Sequence, residues 1–188
     1  MTQKGKEMTQ NDFHLYYNEN TKDRKSFGTD VLAFAYRIIP DADAAWEIRD
    51  EVMKIGIKRC AEFEVGTAWE GSGHWPGLKK ITREHCKRMI LRPEQQNPLA
   101  KETLKQWISD DPWAAAFGKL SFSHRQVFLL SMAFGGGTRT IHGLLNKRGA
   151  DNEKKLTQKD VKNLQAEAVA LMVTSLTESY TISDYSKV

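Results

Sequence analysis

The stretch from Leu120 to Met172 constrains the fold most, because three helical patterns follow one another there with marked starts and glycine stops. Ser123 and Gln126 have the spacing of a capping box, in which the serine oxygen accepts an orphan amide and the glutamine reaches back, while Phe122 and Val127 fall at the staple positions. From Val127 the run VFLLSMAF is apolar nearly all round, as in a helix clamped between neighbours, and Gly135, Gly136 and Gly137 end it. A second, shorter helix is expected behind a Thr138 cap, with Ile141, Leu144 and Leu145 in one buried stripe and Gly149 as a left-handed stop. A third opens at Thr157, three residues before Asp160. It runs to about Leu176 with Val161, Leu164, Ala168, Leu171 and Met172 on one face.

The outer face of that third helix has another character. Lys159, Lys162 and Asn163 project away from the apolar stripe in its N-terminal half, the half that a recognition helix inserts into the major groove. From Arg139 to Lys162 there are seven basic residues (Arg139, Lys147, Arg148, Lys154, Lys155, Lys159, Lys162) against Asp151, Glu153 and Asp160, a surplus equal to the whole chain's formal net charge of +4. Phosphates are the natural counter-charge, so the segment reads as a helix-turn-helix unit that binds DNA. Three amphipathic helices with lysines outside also describe an ordinary soluble bundle with a solvated face.

Composition narrows the class. With 188 residues, 40% hydrophobic and 28% charged, the chain can bury a core as one domain or two small helical ones. The pI near 9.0 is compatible with a nucleic-acid partner without demonstrating one. Cys60 and Cys86 lie far apart with no CxxC spacing, so a reduced, cytoplasmic protein is expected. The start MTQKGKEMTQND has no apolar core, and no run approaches the ~20 apolar residues of a bilayer span, so no membrane association is expected.

The predicted organisation is all-α, in two small helical domains, the C-terminal one a helix-turn-helix. Residues 1–11 are a flexible N-terminus, 12–92 a helical domain, 93–119 a linker with short helices, 120–176 the helix-turn-helix domain and 177–188 a flexible tail. Within 12–92, a short helix is expected at the apolar start FHLYY, and Asp30 caps the apolar helix VLAFAYRII, stopped by Pro40, with Phe34 and Tyr36 in the core. A longer helix runs from about Ala42 to Phe63, with Asp41 and Asp43 complementing its dipole. Ala45, Ile48, Val52 and Ile55 form its stripe, and Trp46, Met53, Ile57 and Cys60 widen it. Glu47, Asp50, Glu51 and Lys54 remain outside, the three carboxylates forming a candidate partner surface. VGTAWEGSGHWPG reads as a loop holding Trp69 and Trp75, with lids over the core as the plain alternative.

LKKITREHCKRMILR is then a basic helix: Lys79, Lys80, Arg83, Lys87, Arg88 and Arg92 stand against one acidic residue, Glu84, and Leu78, Ile81, His85, Met89 and Ile90 form its apolar face. Trp75 at its start adds an indole on which an unpaired base could stack while the cations track a single strand. In the linker a helix is expected up to about Ser109. Another follows Pro112, capped by Asp110 and Asp111, with Trp107, Trp113 and Phe117 packing.

Convergent chemistry is not apparent. The five histidines are scattered with no metal-ligand spacing, adjacent His85 and Cys86 point about 100° apart on a helix, and the GGG at 135–137 lacks a following GK[ST]. No catalytic residue, metal site or cofactor is expected.

The order of these pieces resembles a bacterial RNA polymerase sigma factor of the small, two-domain extracytoplasmic-function type. VLAFAYRIIPDADAAWEIRDEVM is similar to the family's first conserved stretch, WPGLKKITREHCKRMILR to the helix that handles the melted promoter element, and LSFSHRQVFLLSMAFGG to the helix that opens its second domain. Together they span residues 30 to 172 in family order, with a longer turn through ADNEKK. The resemblance implies a sigma region 2-like N-terminal domain and no catalysis. The helix bearing Glu47, Asp50 and Glu51 would dock on core RNA polymerase. Trp75, Lys79, Lys80, Arg83, Lys87 and Arg88 would bind the melted element, and Arg139, Thr157, Lys159, Lys162 and Asn163 the distal duplex. There the lysines would favour guanine or phosphate and the asparagine adenine. Two other readings fit the residues: a self-sufficient helix-turn-helix repressor of phage or plasmid type, homodimeric on palindromic DNA, and a small helical protein-binding inhibitor whose basic faces are solvated.

Overall fold

The computed structural model describes residues 6–7, 27–58, 64–65, 74–107, 111–148 and 155–185. Seven helices account for most of them: α1 (Phe27–Ile38), α2 (Ala42–Lys58), α3 (His74–Ile90), α4 (Pro112–Gly118), α5 (Phe122–Met132), α6 (Thr138–Arg148) and α7 (Gln158–Tyr185). The protein is all-α; the two-residue antiparallel pair of Lys6–Glu7 with Glu64–Val65 is a local bridge. No helix among the described residues is long and apolar enough to cross a membrane.

The chain forms two compact units, Met1–Ile39 with Asp43–Cys86, and Pro40–Ala42 with Lys87–Val188. In the first, α1 contributes buried Val31, Ala35 and Ile38, α2 contributes Ala45, Ile48 and Val52, and α3 contributes Leu78, Thr82 and Cys86. Asp30 lies inside α1 instead of capping it, since the helix opens three residues earlier, and Phe34 and Tyr36 are half-buried. Trp46, expected to widen the α2 stripe, is 47% exposed with the Arg49 guanidinium 5.5 Å from its ring centroid. α2 ends at Lys58, four residues short of residue 62, and the expected continuation over 59–63 lies outside the described residues, as do Trp69 and the short helix expected at FHLYY. α3 already includes His74–Gly77, which was expected as loop. Its buried stripe runs Leu78, Thr82, Cys86, Met89, a spacing of four, four and three, and this leaves His85 half-buried beside it.

The second unit is built on α7, which packs on α5, α4 and α6. Val127, Phe128, Leu129 and Leu130 are buried in succession, as a helix clamped on several sides requires. The α5 cap is Ser121, not Ser123: Ser121 Oγ accepts from His124 N, and Gln126 instead donates from Nε2 to the Ile90 carbonyl at 2.6 Å. Gly135 takes φ +61° beyond the end of α5, and Gly136 N–H donates to the Leu130 carbonyl at 3.1 Å. Thr138, expected as a cap, is itself the first residue of α6, and its hydroxyl bonds Gln165 Oε1 at 2.7 Å. On α6 Ile141 is buried while Leu144 and Leu145 are half-buried; Gly149 lies outside the described residues.

Residues 93–119, expected as a linker, belong to this unit. No helix forms over 101–107; two 3-10 turns, Glu94–Gln96 and Pro98–Ala100, replace it. Buried Asn97 organises the bend. Its Nδ2 donates to the carbonyls of Met89, Ile90 and Arg92, and its Oδ1 accepts from Leu99 N, so it ends α3 and begins the next turn. Asp111 caps α4 through Trp113 N and Ala114 N, with Pro112 at the first helical position. Phe117 is buried, but Trp107 and Trp113 are exposed at the edge, Trp113 tilted against Phe128 with ring centroids 5.6 Å apart.

Buried charge pins the strap that follows. Arg125 donates to the carbonyls of Leu99 and Lys101 at 2.7 Å, to Phe117 at 3.4 Å and to Gly118. Burial lowers its pKa, and the Asp41 carboxylate opposes that shift. Asp41, fully buried, accepts from Lys105 N at 2.9 Å and lies 3.5 Å from Lys101 Nζ. It therefore does more than complement a helix dipole.

Candidate nucleic-acid interface

The start of α7 follows the sequence closely. Thr157 Oγ1 accepts from Asp160 N at 3.1 Å, and Asp160 Oδ2 accepts from both Thr157 N and Thr157 Oγ1 at 2.8 Å, a reciprocal box that satisfies two orphan donors. Thr157 is exposed, but its hydroxyl is engaged in the cap. A second device fixes the approach. Asn146 of α6 donates to the Leu156 carbonyl at 2.9 Å and accepts from Leu156 N at 3.2 Å, so one side-chain amide closes the chain between α6 and α7 as a strand partner would.

On α7 itself Val161, Ala168 and Met172 are buried, and Lys159, Lys162 and Asn163 are exposed on the opposite face. Leu171, expected in the buried stripe, is 46% exposed; the inward positions are Val161, Ala168, Met172 and Ser175, at spacings of seven, four and three. The helix continues to Tyr185, so most of the expected flexible tail is helical, and 186–188 lie outside the described residues. Arg139, the second residue of α6, is exposed.

Polar contacts hold α7 against α5. Gln165 Nε2 donates to Ser131 Oγ at 2.9 Å while its Oε1 receives Thr138, tying three helices at one amide. His124 Nε2 lies 3.1 Å from Glu167 Oε2, which needs a donor, so Ser121 Oγ donates to His124 Nδ1 at 2.6 Å. None of these residues other than Thr138 attracted notice from periodicity, because a side-chain amide or imidazole between helices leaves no apolar signature.

The α3 cations form a second face. Lys80, Arg83 and Arg88 are exposed, Lys79, Lys87 and Arg92 half-buried, and all but Arg92 lie within the helix, with exposed Glu84 among them. Trp75 is helical, with its side chain outside the described residues. Cys86 is on the buried side of the same helix, where burial pushes its thiol up to about 12, so it stays protonated and unreactive at neutral pH. On α2, Glu47 and Asp50 are exposed and Glu51 is half-buried. Asp50 pairs with Arg49 at 2.8 Å and Glu51 with Lys54 at 2.9 Å, the latter hydrogen bond and charge raising the Lys54 pKa. Half of that acidic patch is thus neutralised within the helix itself. Among the described residues no group of three His, Cys, Asp or Glu side chains could hold a metal ion.

Comparison with protein-family models, with curated protein sequences and with solved structures returns no match.

Proposed function

We propose that this chain is a cytoplasmic DNA-binding transcription factor, sigma-like in recognising promoters together with core RNA polymerase. In this reading α5, α6 and α7 act as a helix-turn-helix unit and α7 is the recognition helix. One observation carries it: the N-terminal half of α7 buries Val161 and Ala168 and leaves Lys159, Lys162 and Asn163 exposed, directly after the turn that Asn146 closes. A groove offers that face both the phosphates for lysine and the base edges for asparagine. Arg139 at the start of α6 adds a phosphate contact. The α3 cations Lys79, Lys80, Arg83, Lys87 and Arg88, with Trp75, bind the melted strand, and Glu47, Asp50 and Glu51 of α2 meet the polymerase.

The test is fluorescence anisotropy of a labelled duplex and of a forked, partly single-stranded DNA, each at low salt, with and without core RNA polymerase. Tight binding of the fork that requires polymerase supports the sigma-like function. Duplex binding to which polymerase adds nothing replaces it with a self-sufficient repressor, and failure to bind any DNA leaves a protein-binding module.

A further inference from the structure

A straight helix presents base-reading side chains to one groove at i, i+3, i+4 and i+7. On α7 that spacing selects Lys159, Lys162, Asn163 and Ala166, and all four are exposed. The first three offer ammonium or amide groups. The fourth offers only a methyl, and in the major groove a methyl has one specific counterpart, the C5-methyl of thymine. The small side chain also lets the α7 backbone lie closer to the base edges than a lysine there would. One turn further on, the outer face becomes apolar: Val169 is 47% and Val173 58% exposed, and neither can serve a phosphate. The reading segment therefore ends near Ala166. From Lys159 to Ala166 the axis rises about 10.5 Å, roughly three base-pair steps, and Asn163 and Ala166 are about 4.5 Å apart along it, close to one step.

We infer that Ala166 is a second base-reading residue of α7, contacting a thymine methyl beside the adenine held by Asn163, so that the bound site contains adenine and thymine on adjacent base pairs. This rests on the DNA-binding reading above and adds to it a residue and a base.

The experiment selects binding sites for the full chain from a randomised duplex pool, with and without core polymerase, and then replaces each thymine of the enriched site by uracil, which deletes only the methyl. One thymine should matter: its replacement weakens wild-type binding about fourfold, the worth of one buried methyl, and leaves Ala166→Gly unaffected. The neighbouring adenine should matter to the wild type and not to Asn163→Ala. Thermal melts of both variants check that α7 remains folded. Enriched sites that tolerate uracil everywhere would overturn the role of Ala166 while leaving DNA reading intact; a pool without enrichment in either condition would overturn the DNA reading, and the role of Ala166 with it.

Discussion

Arg125 shows how much of this fold hangs on single polar side chains. Its guanidinium holds the carbonyls of Leu99, Lys101, Phe117 and Gly118, and Lys101 in turn faces the buried Asp41. Replacing it by methionine keeps the length but strands those acceptors, and each buried unsatisfied group costs about 1–3 kcal/mol. Arg125→Met should therefore lower stability by roughly 3 kcal/mol or more in urea unfolding, with the m-value unchanged. Arg125→Lys should recover little, because one ammonium cannot span a fork of carbonyls. A lysine variant as stable as the wild type would show the anchor to be charge alone. The sequence contained Arg125 in plain view beside Gln126, yet periodicity has no symbol for a buried cation; the same blindness hid Asn97, whose four hydrogen bonds turn an expected linker into part of a core.

Among elements, the α5–α6 turn sets the geometry that any helix-turn-helix function would use, and its three glycines are not equivalent. A Cβ on Gly136 would lie 2.9 Å from Ile141 Cγ1 and 3.0 Å from the Leu130 carbonyl oxygen, and the backbone oxygen cannot move aside. Gly137 is open, and its carbonyl accepts the first α6 hydrogen bond from Ile141 N at 3.1 Å, so it stands at the cap position. Gly136→Ala should then cost about 1–3 kcal/mol by overpacking, whereas Gly137→Ser, which supplies a capping oxygen, should be neutral or stabilising by a few tenths of a kcal/mol. Thermal melts of the two variants separate the cases, and equal melting points would contradict this account of the turn. Elements whose ends carry their own chemistry were legible: Thr157 with Asp160 and Asp111 with Pro112 were placed correctly. Where two serines competed, as at Ser121 and Ser123, the outcome depended on His124 and on Ile90, which local spacing does not include.

For the whole molecule, the all-α class was legible because amphipathic stretches, caps and glycine stops agreed along the chain, while the unit boundary was not, since it falls inside α3 between Cys86 and Lys87. The net charge of +4 is too small to hold DNA by itself, so affinity must come from where the cations stand. That distribution makes a quantitative demand. Each ammonium that neutralises a phosphate releases a condensed counterion, contributing about 0.9 to the slope of log K against log salt on duplex and about 0.7 on a single strand. If Lys159 meets the duplex backbone, Lys159→Gln should flatten the slope on duplex DNA by close to one and leave the single-strand slope alone; Arg83→Gln on α3 should do the reverse on a forked template. Asn163→Ala, removing no charge, should weaken binding to the preferred site with neither slope altered. Slopes measured under the condition in which wild-type protein binds, with or without polymerase, test all three. Equal flattening on both templates by either cation variant would mean that the two basic faces are not divided between paired and unpaired DNA, and would reduce them to a diffuse field in which position carries no meaning.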